Sequence, residues 1–199
     1  MKIVLIGAHG AIGSAVAAEL GQRHQIIPVS RSRGDYQADM ADLDSVRALL
    51  HSIDDIDAVV ATAGAVHFGP LTEMTPEQIG VGLREKLMGQ VNLVLTAQQV
   101  LKDGGSITLT SGILSSDPIR YGSAASLVNG GLDSFVRAAA IELPRGLRIN
   151  IVSPNLLQES VPDYGDYFPG FDPVPAARVA KAYAKSVEGA QTGQIYTVW

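Results

Sequence analysis

The sequence predicts an α/β fold: a Rossmann-type doubly wound sheet of about seven mainly parallel strands with helices on both faces, in one domain over residues 1–199. Residues 3–6 (Ile-Val-Leu-Ile) form an apolar run rich in β-branched side chains, the pattern of a parallel strand covered on both faces. Glycines at 7, 10 and 13 follow, ahead of a helical stretch. From there strand-like and helix-like segments alternate along the whole chain. Length and composition agree, since 199 residues that are 46% hydrophobic and 18% charged, with 21 glycines, supply one full core.

The elements follow in order. Gly7 takes backbone angles that a Cβ disfavours, Gly10 lets the main chain approach a phosphate, and Gly13 lets the helix sit close to the strand. The helix start at Ala11 and Ile12 offers free N–H groups and a positive dipole end to a pyrophosphate. That helix, 12–21, carries Val16, Ala17 and Leu20 on one face. A second strand covers 25–29, with Pro28 tolerable where pairing is incomplete, and a very short third covers 36–38. Asp42 caps a helix over 43–51, with Val46, Leu49 and Leu50 facing inward. A strand at 57–61 runs into Thr62-Ala63-Gly64. Thr75-Pro76-Glu77-Gln78 opens a helix to about Leu101, with Leu83, Leu87, Val91, Val94 and Leu95 at helical spacing. A strand at 106–110 ends at Ser111-Gly112. The helix over 122–143 carries the stripe Ala124, Leu127, Val128, Gly131, Leu132, Phe135, Val136 and Ala139. A strand at 147–153, a loop at 155–175, a helix at 176–187 and a strand at 194–198 complete the chain.

Composition narrows the function. A net charge of -5 gives no general attraction for nucleic acid or anionic membranes. With no cysteine there is neither a disulfide nor a thiolate metal site, which fits a reducing cytoplasm. The N-terminal residues read as a strand and not as a secretory leader, and no apolar run approaches the roughly 20 residues of a membrane span. The histidines fall on separate elements and Asp163, Asp166 and Asp172 lack ligand spacing, so no metal is expected.

With these units placed, the chain resembles the short-chain dehydrogenase/reductase family over essentially its whole length. The landmarks are the glycine turn, Ala61-Thr62-Ala63-Gly64 where the family writes Asn-Asn-Ala-Gly, residues 135–143 as the end of its catalytic helix, Arg148-Ile149-Asn150-Ile151-Val152-Ser153-Pro154 as the strand leading to its Pro-Gly turn, and Thr192-Gly193-Gln194-Ile195 as its last strand. The resemblance implies that Asp39 contacts an adenine, with Met40 beside it, and that dimers or tetramers form on the two long helices. The second strand ends without an acidic residue, in Val29-Ser30-Arg31-Ser32-Arg33. Guanidinium groups suit a 2′-phosphate, and His9 stands where NADP-binding relatives carry a basic residue, so the expected cofactor is NADP(H) in preference to NAD(H).

The family's proton chemistry uses a Tyr, a Lys four residues later, a substrate-binding Ser and an Asn on the preceding helix. Aligned backwards from Glu142, these positions fall on Ala125, Asn129, Gly112 (with Ser111 one residue before) and Lys86. No Tyr-x-x-x-Lys occurs in any register. The resemblance therefore implies an oxidoreductase of a small carbonyl or alcohol with a rebuilt proton relay. Ser111 or Tyr121 would pass the proton, Lys86 would contribute the charge, and Asn129 would hold the ribose, with Pro154 also at the cofactor. The alternative is a catalytically silent nucleotide-binding sensor or interaction protein. Tyr164, Tyr167, Phe168 and Phe171 are candidates for a substrate lid or for core closure.

Overall fold

The computed structural model describes residues 1–199. Its strands are β1 (Lys2–Ile6), β2 (Gln25–Ser30), β3 (Tyr36–Gln37), β4 (Ala58–Ala61), β5 (Ser106–Thr110), β6 (Arg148–Pro154) and β7 (Ile195–Val198). They form one 7-stranded sheet in the order β3-β2-β1-β4-β5-β6-β7, and every pairing is parallel. The order reverses between β1 and β4, which opens a crevice at their carboxyl ends. Pro28 sits inside β2 without breaking a ladder. Val29 O faces β1, where it accepts from Gly7 N–H, so Pro28 faces the other side, and β3 pairs only with Val29 and Ser30.

The helices are α1 (Ala11–Leu20), α2 (Leu43–His51), α3 (Pro76–Gly82), α4 (Gly89–Val100), α5 (Ser123–Glu142), α6 (Val161–Tyr164) and α7 (Ala176–Glu188). One core layer joins the sheet to α2, α4 and α5, and the opposite layer joins it to α1 and α7. The caps are those read from the sequence. Asp42 accepts from Asp44 N–H, and Thr75 and Gln78 close a capping box at α3. No helix is long and apolar enough to cross a membrane.

The structure departs from the sequence-based expectation in three places. The helix expected from Pro76 to Leu101 is interrupted by a π-helical turn, Leu83–Met88, between α3 and α4. Its inward face is also different, because Leu83 is 36% and Leu95 43% exposed while Gln90, Leu93, Val94 and Ala97 are buried. The cause is backbone that needs partners. Beyond the end of the β4 pairing, Gln90 donates to Thr110 O at 2.9 Å and accepts from Thr110 N–H at 2.7 Å, and Asn92 donates to Met40 O at 3.0 Å. In α5 the expected stripe holds except at Leu127, which faces solvent. Finally, the segment 155–175 is not a plain loop. It contains short helical turns at Gln158–Ser160 and Gly165–Tyr167 flanking α6, where Pro162 lies in the first turn and so removes no helical hydrogen bond. A bridge between Leu157 and Val174 closes its base, and Glu159 accepts from Ala176 N–H at the start of α7.

Candidate functional site

The carboxyl ends of the strands hold two cavities. The first, of about 290 Å³, is lined by Ile6, Gly7, His9, Gly10, Ser30, Arg31, Ala38, Met40, Thr62, Ala63 and Gly64. The glycine turn builds its floor. A side chain on Gly13 would run into Gly7 O, so the helix start is held against the strand, whereas Gly10 has space above it. No side chain caps α1, and its first-turn N–H groups are left free for an anion. Thr62 Oγ1 donates to Ile6 O at 2.9 Å and so pins the end of β4 against β1. Ser30 Oγ donates to Arg33 O at 2.7 Å and accepts from Arg33 N–H at 2.8 Å, closing the turn that carries Arg31 and Ser32. The Arg31 guanidinium pairs with Glu85 at 2.9 Å.

The second cavity, also about 290 Å³, is mostly apolar and is lined in part by Lys86. Its walls include Ile12, Val66, Phe68, Ile113, Leu156 and Phe168, and its polar groups include Lys86, Ser111 and Asn129. The Lys86 ammonium donates to Asn129 Oδ1 at 2.7 Å and to Ser111 O at 3.0 Å. Gly64, at φ +148°, makes room for it, because a Cβ there would lie 2.7 Å from Lys86 Cγ. Burial pulls the Lys86 ammonium down to about 8, opposed by a smaller pull from the Asp133 carboxylate. Ser111 Oγ is buried and has no protein partner. An ammonium poised to lose its proton thus lines a mostly apolar pocket, an arrangement suited to donating a proton to a bound carbonyl.

The structure brings together Lys86, Ser111, Asn129, Pro154 and Ile12 in this second cavity, and Gly7, His9, Gly10, Ser30, Arg31, Met40, Thr62, Ala63 and Gly64 in the first. Ala11, Gly13, Ser32, Asp39 and Ala61 line neither. Asp39 instead accepts from Ala41 N–H, and Ala61 O accepts from the Thr110 hydroxyl. Tyr121 lies apart from Lys86. It lines a separate crevice with Asp117, Arg120 and Asp166, its ring meets Tyr167 edge-on at 6.4 Å, and its φ of +65° is held by Gly69 N–H donating to its carbonyl. Of the lid candidates, Tyr164 and Phe168 line the second cavity. Sequence reasoning missed Asp133, although its place one turn beyond Asn129 on the same helix was a signal.

A family model described as Enoyl-(Acyl carrier protein) reductase matches residues 6–193. The chain belongs to the short-chain dehydrogenase/reductase family. Among solved structures, the protein lin1944 from Listeria innocua is 48% identical with a TM-score of 0.98, each chain covering 100% of the other. A small-chain dehydrogenase in complex with NADPH is 25% identical with a TM-score of 0.88, over 100% of this chain and 96% of that one. Versicolorin reductase stcU of Emericella nidulans is 29% identical over 183 residues, 79% of this chain and 69% of that protein. Short-chain dehydrogenases/reductases are oxidoreductases that use a nicotinamide cofactor. The residues of the first cavity fit such a dinucleotide, with an uncapped helix start, an open glycine beside it and a basic rim. Lys86 and Asn129, from the π turn and α5, are hydrogen-bonded to each other at 2.7 Å.

Proposed function

We propose that the protein is an NADP(H)-dependent reductase of a small carbonyl, running in reverse on the alcohol, with Lys86 as the proton donor. The observation that carries this reading is the Lys86 ammonium held by Asn129 and Ser111 O in a mostly apolar cavity. When bound, the reduced nicotinamide supplies the hydride. Ser111 O accepts from the ammonium and holds it at the cavity wall, and Lys86 delivers the proton to the substrate oxygen. Asn129 fixes the ammonium, and Ala125, at the position of the family's Tyr, leaves room in the wall for the substrate.

Arg31 at the rim of the first cavity favours a 2′-phosphate. Its pairing with Glu85 is solvent-exposed and easily exchanged for a phosphate. Leu95 and Leu127, exposed on α4 and α5, are assigned to contacts between copies of the chain in a homodimer or homotetramer, which sedimentation would check. We place the cysteine-free chain in the reducing cytoplasm.

The test is a fluorescence titration with NADPH and NADH, followed by a panel of small carbonyls. Tight binding of NADPH, weak binding of NADH and cofactor oxidation with at least one carbonyl are expected. Lys86→Met is then expected to lower kcat at least about 100-fold with NADPH binding retained. NADPH binding without turnover on any carbonyl would favour a silent nucleotide-binding protein. Binding of neither cofactor would overturn the reading.

A further inference from the structure

Among the buried polar atoms without a protein partner, Ser111 Oγ and Ser153 Oγ lie at the ends of β5 and β6, and Asp133 Oδ1 lies on α5. Protein interiors rarely leave such atoms unpaired, and the usual partner is an ordered water. Their positions are related. Side chains alternate along a strand, so Ser111 shares a face with Ile107 and Leu109, Ser153 with Ile149 and Ile151, and Thr197 with Ile195, all on the α5 side. The register pairs Thr110 with Val152 and Ser153 with Thr197. Ser111, Ser153 and Thr197 therefore stand in one row across the carboxyl ends of β5, β6 and β7. Neighbouring strands lie about 4.8 Å apart, and since neither Ser111 Oγ nor Ser153 Oγ has a protein partner, a bridging water suits the gap between them.

Each end of the row meets a cavity. At the Ser111 end is the Lys86 cavity. At the Thr197 end, a polar cavity of about 410 Å³ lies between α5 and the edge strand, lined by Ser115, Ser116, Asp133, Arg137 and Thr197 among others. Asp133 is only 7% exposed, and its carboxylate acts through space on the Lys86 ammonium. The charged groups near Asp133 are Lys86 from the π turn and Arg137 from α5. Strands β6 and β7 present Ser153 and Thr197, and the turn after β5 presents Ser115 and Ser116, none of which titrates in the working range.

We propose that this row is a water-filled proton path, through which Lys86 exchanges its proton with solvent at the β7 edge, with Asp133 as the relaying carboxylate. The proposal rests on the reading of Lys86 as proton donor. In a reduction the carbonyl carbon gains the hydride of the reduced dinucleotide and the carbonyl oxygen takes a proton from the Lys86 ammonium. The neutral amine then takes a proton from the adjoining water. The waters and Asp133 each pass one proton along, and one enters from bulk solvent at the sheet edge, so no charge accumulates over a cycle. The path matters because substrate fills the cavity in front of Lys86 and closes the direct route to water.

A high-resolution crystal structure of the parent protein tests the path without reference to activity. Ordered waters bonded to Asp133 Oδ1 and Ser153 Oγ are expected, and a dry row overturns the proposal whether or not the protein reduces carbonyls. The second measurement is the pH dependence of Lys86 acylation by acetic anhydride, read by mass spectrometry. In Asp133→Asn, which keeps the side-chain shape, the midpoint is expected to fall, and an unchanged midpoint overturns the role of Asp133. With an active substrate in hand, Asp133→Asn is expected to lower kcat about tenfold and to raise the solvent isotope effect, with cofactor binding unchanged and Asp133→Glu restoring part of the rate. An unaltered kcat and isotope effect overturn the relay, whereas absence of turnover in the parent protein counts against the reductase reading alone and leaves the first two measurements decisive.

Discussion

Lys86 is a cation in a poorly solvated place, and two pH effects follow. As a proton donor it must be charged, so carbonyl reduction is expected to be level at lower pH and to fall as pH rises through about 8, while alcohol oxidation, which needs the free amine, rises over the same range. A pH–rate profile in each direction checks this. The stability effect has the opposite direction to that of a salt-bridged lysine. The folded value of about 8 lies below the ordinary 10.5, so between them the unfolded chain binds more protons and folding strengthens as pH rises. Urea unfolding of the parent protein and Lys86→Met at about pH 7 and about pH 10 should show the parent gaining on the variant at the higher pH. That Lys86, Ser111 and Asn129 come together was legible in the sequence because ordered landmarks bracket them. Asp133 and Ser153 were not, since an Asp in a helix or a Ser in a strand is ordinary until register and packing leave its oxygen alone.

At the scale of elements, the strand ends and both acidic or hydroxyl caps could be read directly, because β-branched runs and capping boxes are local signals. The π turn could not, since Leu83–Met88 keeps an α-like apolar spacing. Nor could the inward turn of Gln90, whose cause is unpaired backbone on a strand 20 residues away. Gln90→Leu leaves Thr110 N–H and O buried and unpaired and is expected to cost about 2–4 kcal/mol, measured by denaturant unfolding. Gly64→Ala probes the same assembly from the other side. Its Cβ would press on Lys86 Cγ, so turnover is expected to fall about as far as in Lys86→Met, and because Gly64 also lines the first cavity NADPH affinity is expected to fall with it. The helical turns within 155–175 were hidden by prolines and glycines that usually signal loop, though at α6 the proline starts the helix.

For the molecule as a whole, the order of strands decides where chemistry is possible. The reversal between β1 and β4 sets the first cavity, and the neighbouring gap toward β5 and β6 sets the Lys86 cavity, so both open at the carboxyl edge of one sheet. Ligand binding at that edge should be felt globally. NADPH at about 100 times its Kd is expected to add about 2.7 kcal/mol and to raise Tm by roughly 5–10 °C, with a smaller rise for NADH at the same concentration. Differential scanning fluorimetry with both cofactors reads the difference. Arg31→Ala should remove most of that difference by weakening NADPH alone.

The wide turn at Leu83–Met88 has one more consequence. A π turn accommodates one residue more than an α-helix of equal rise, so the run from Pro76 to Val100 carries spare length. Deleting Glu85 would let the run close up as an uninterrupted α-helix with both ends still seated, and would swing Lys86 to a new azimuth. Fold and chemistry here stand a single codon apart: circular dichroism of the deletion protein should match the parent, and NADPH should still bind, while the Lys86 amine points elsewhere.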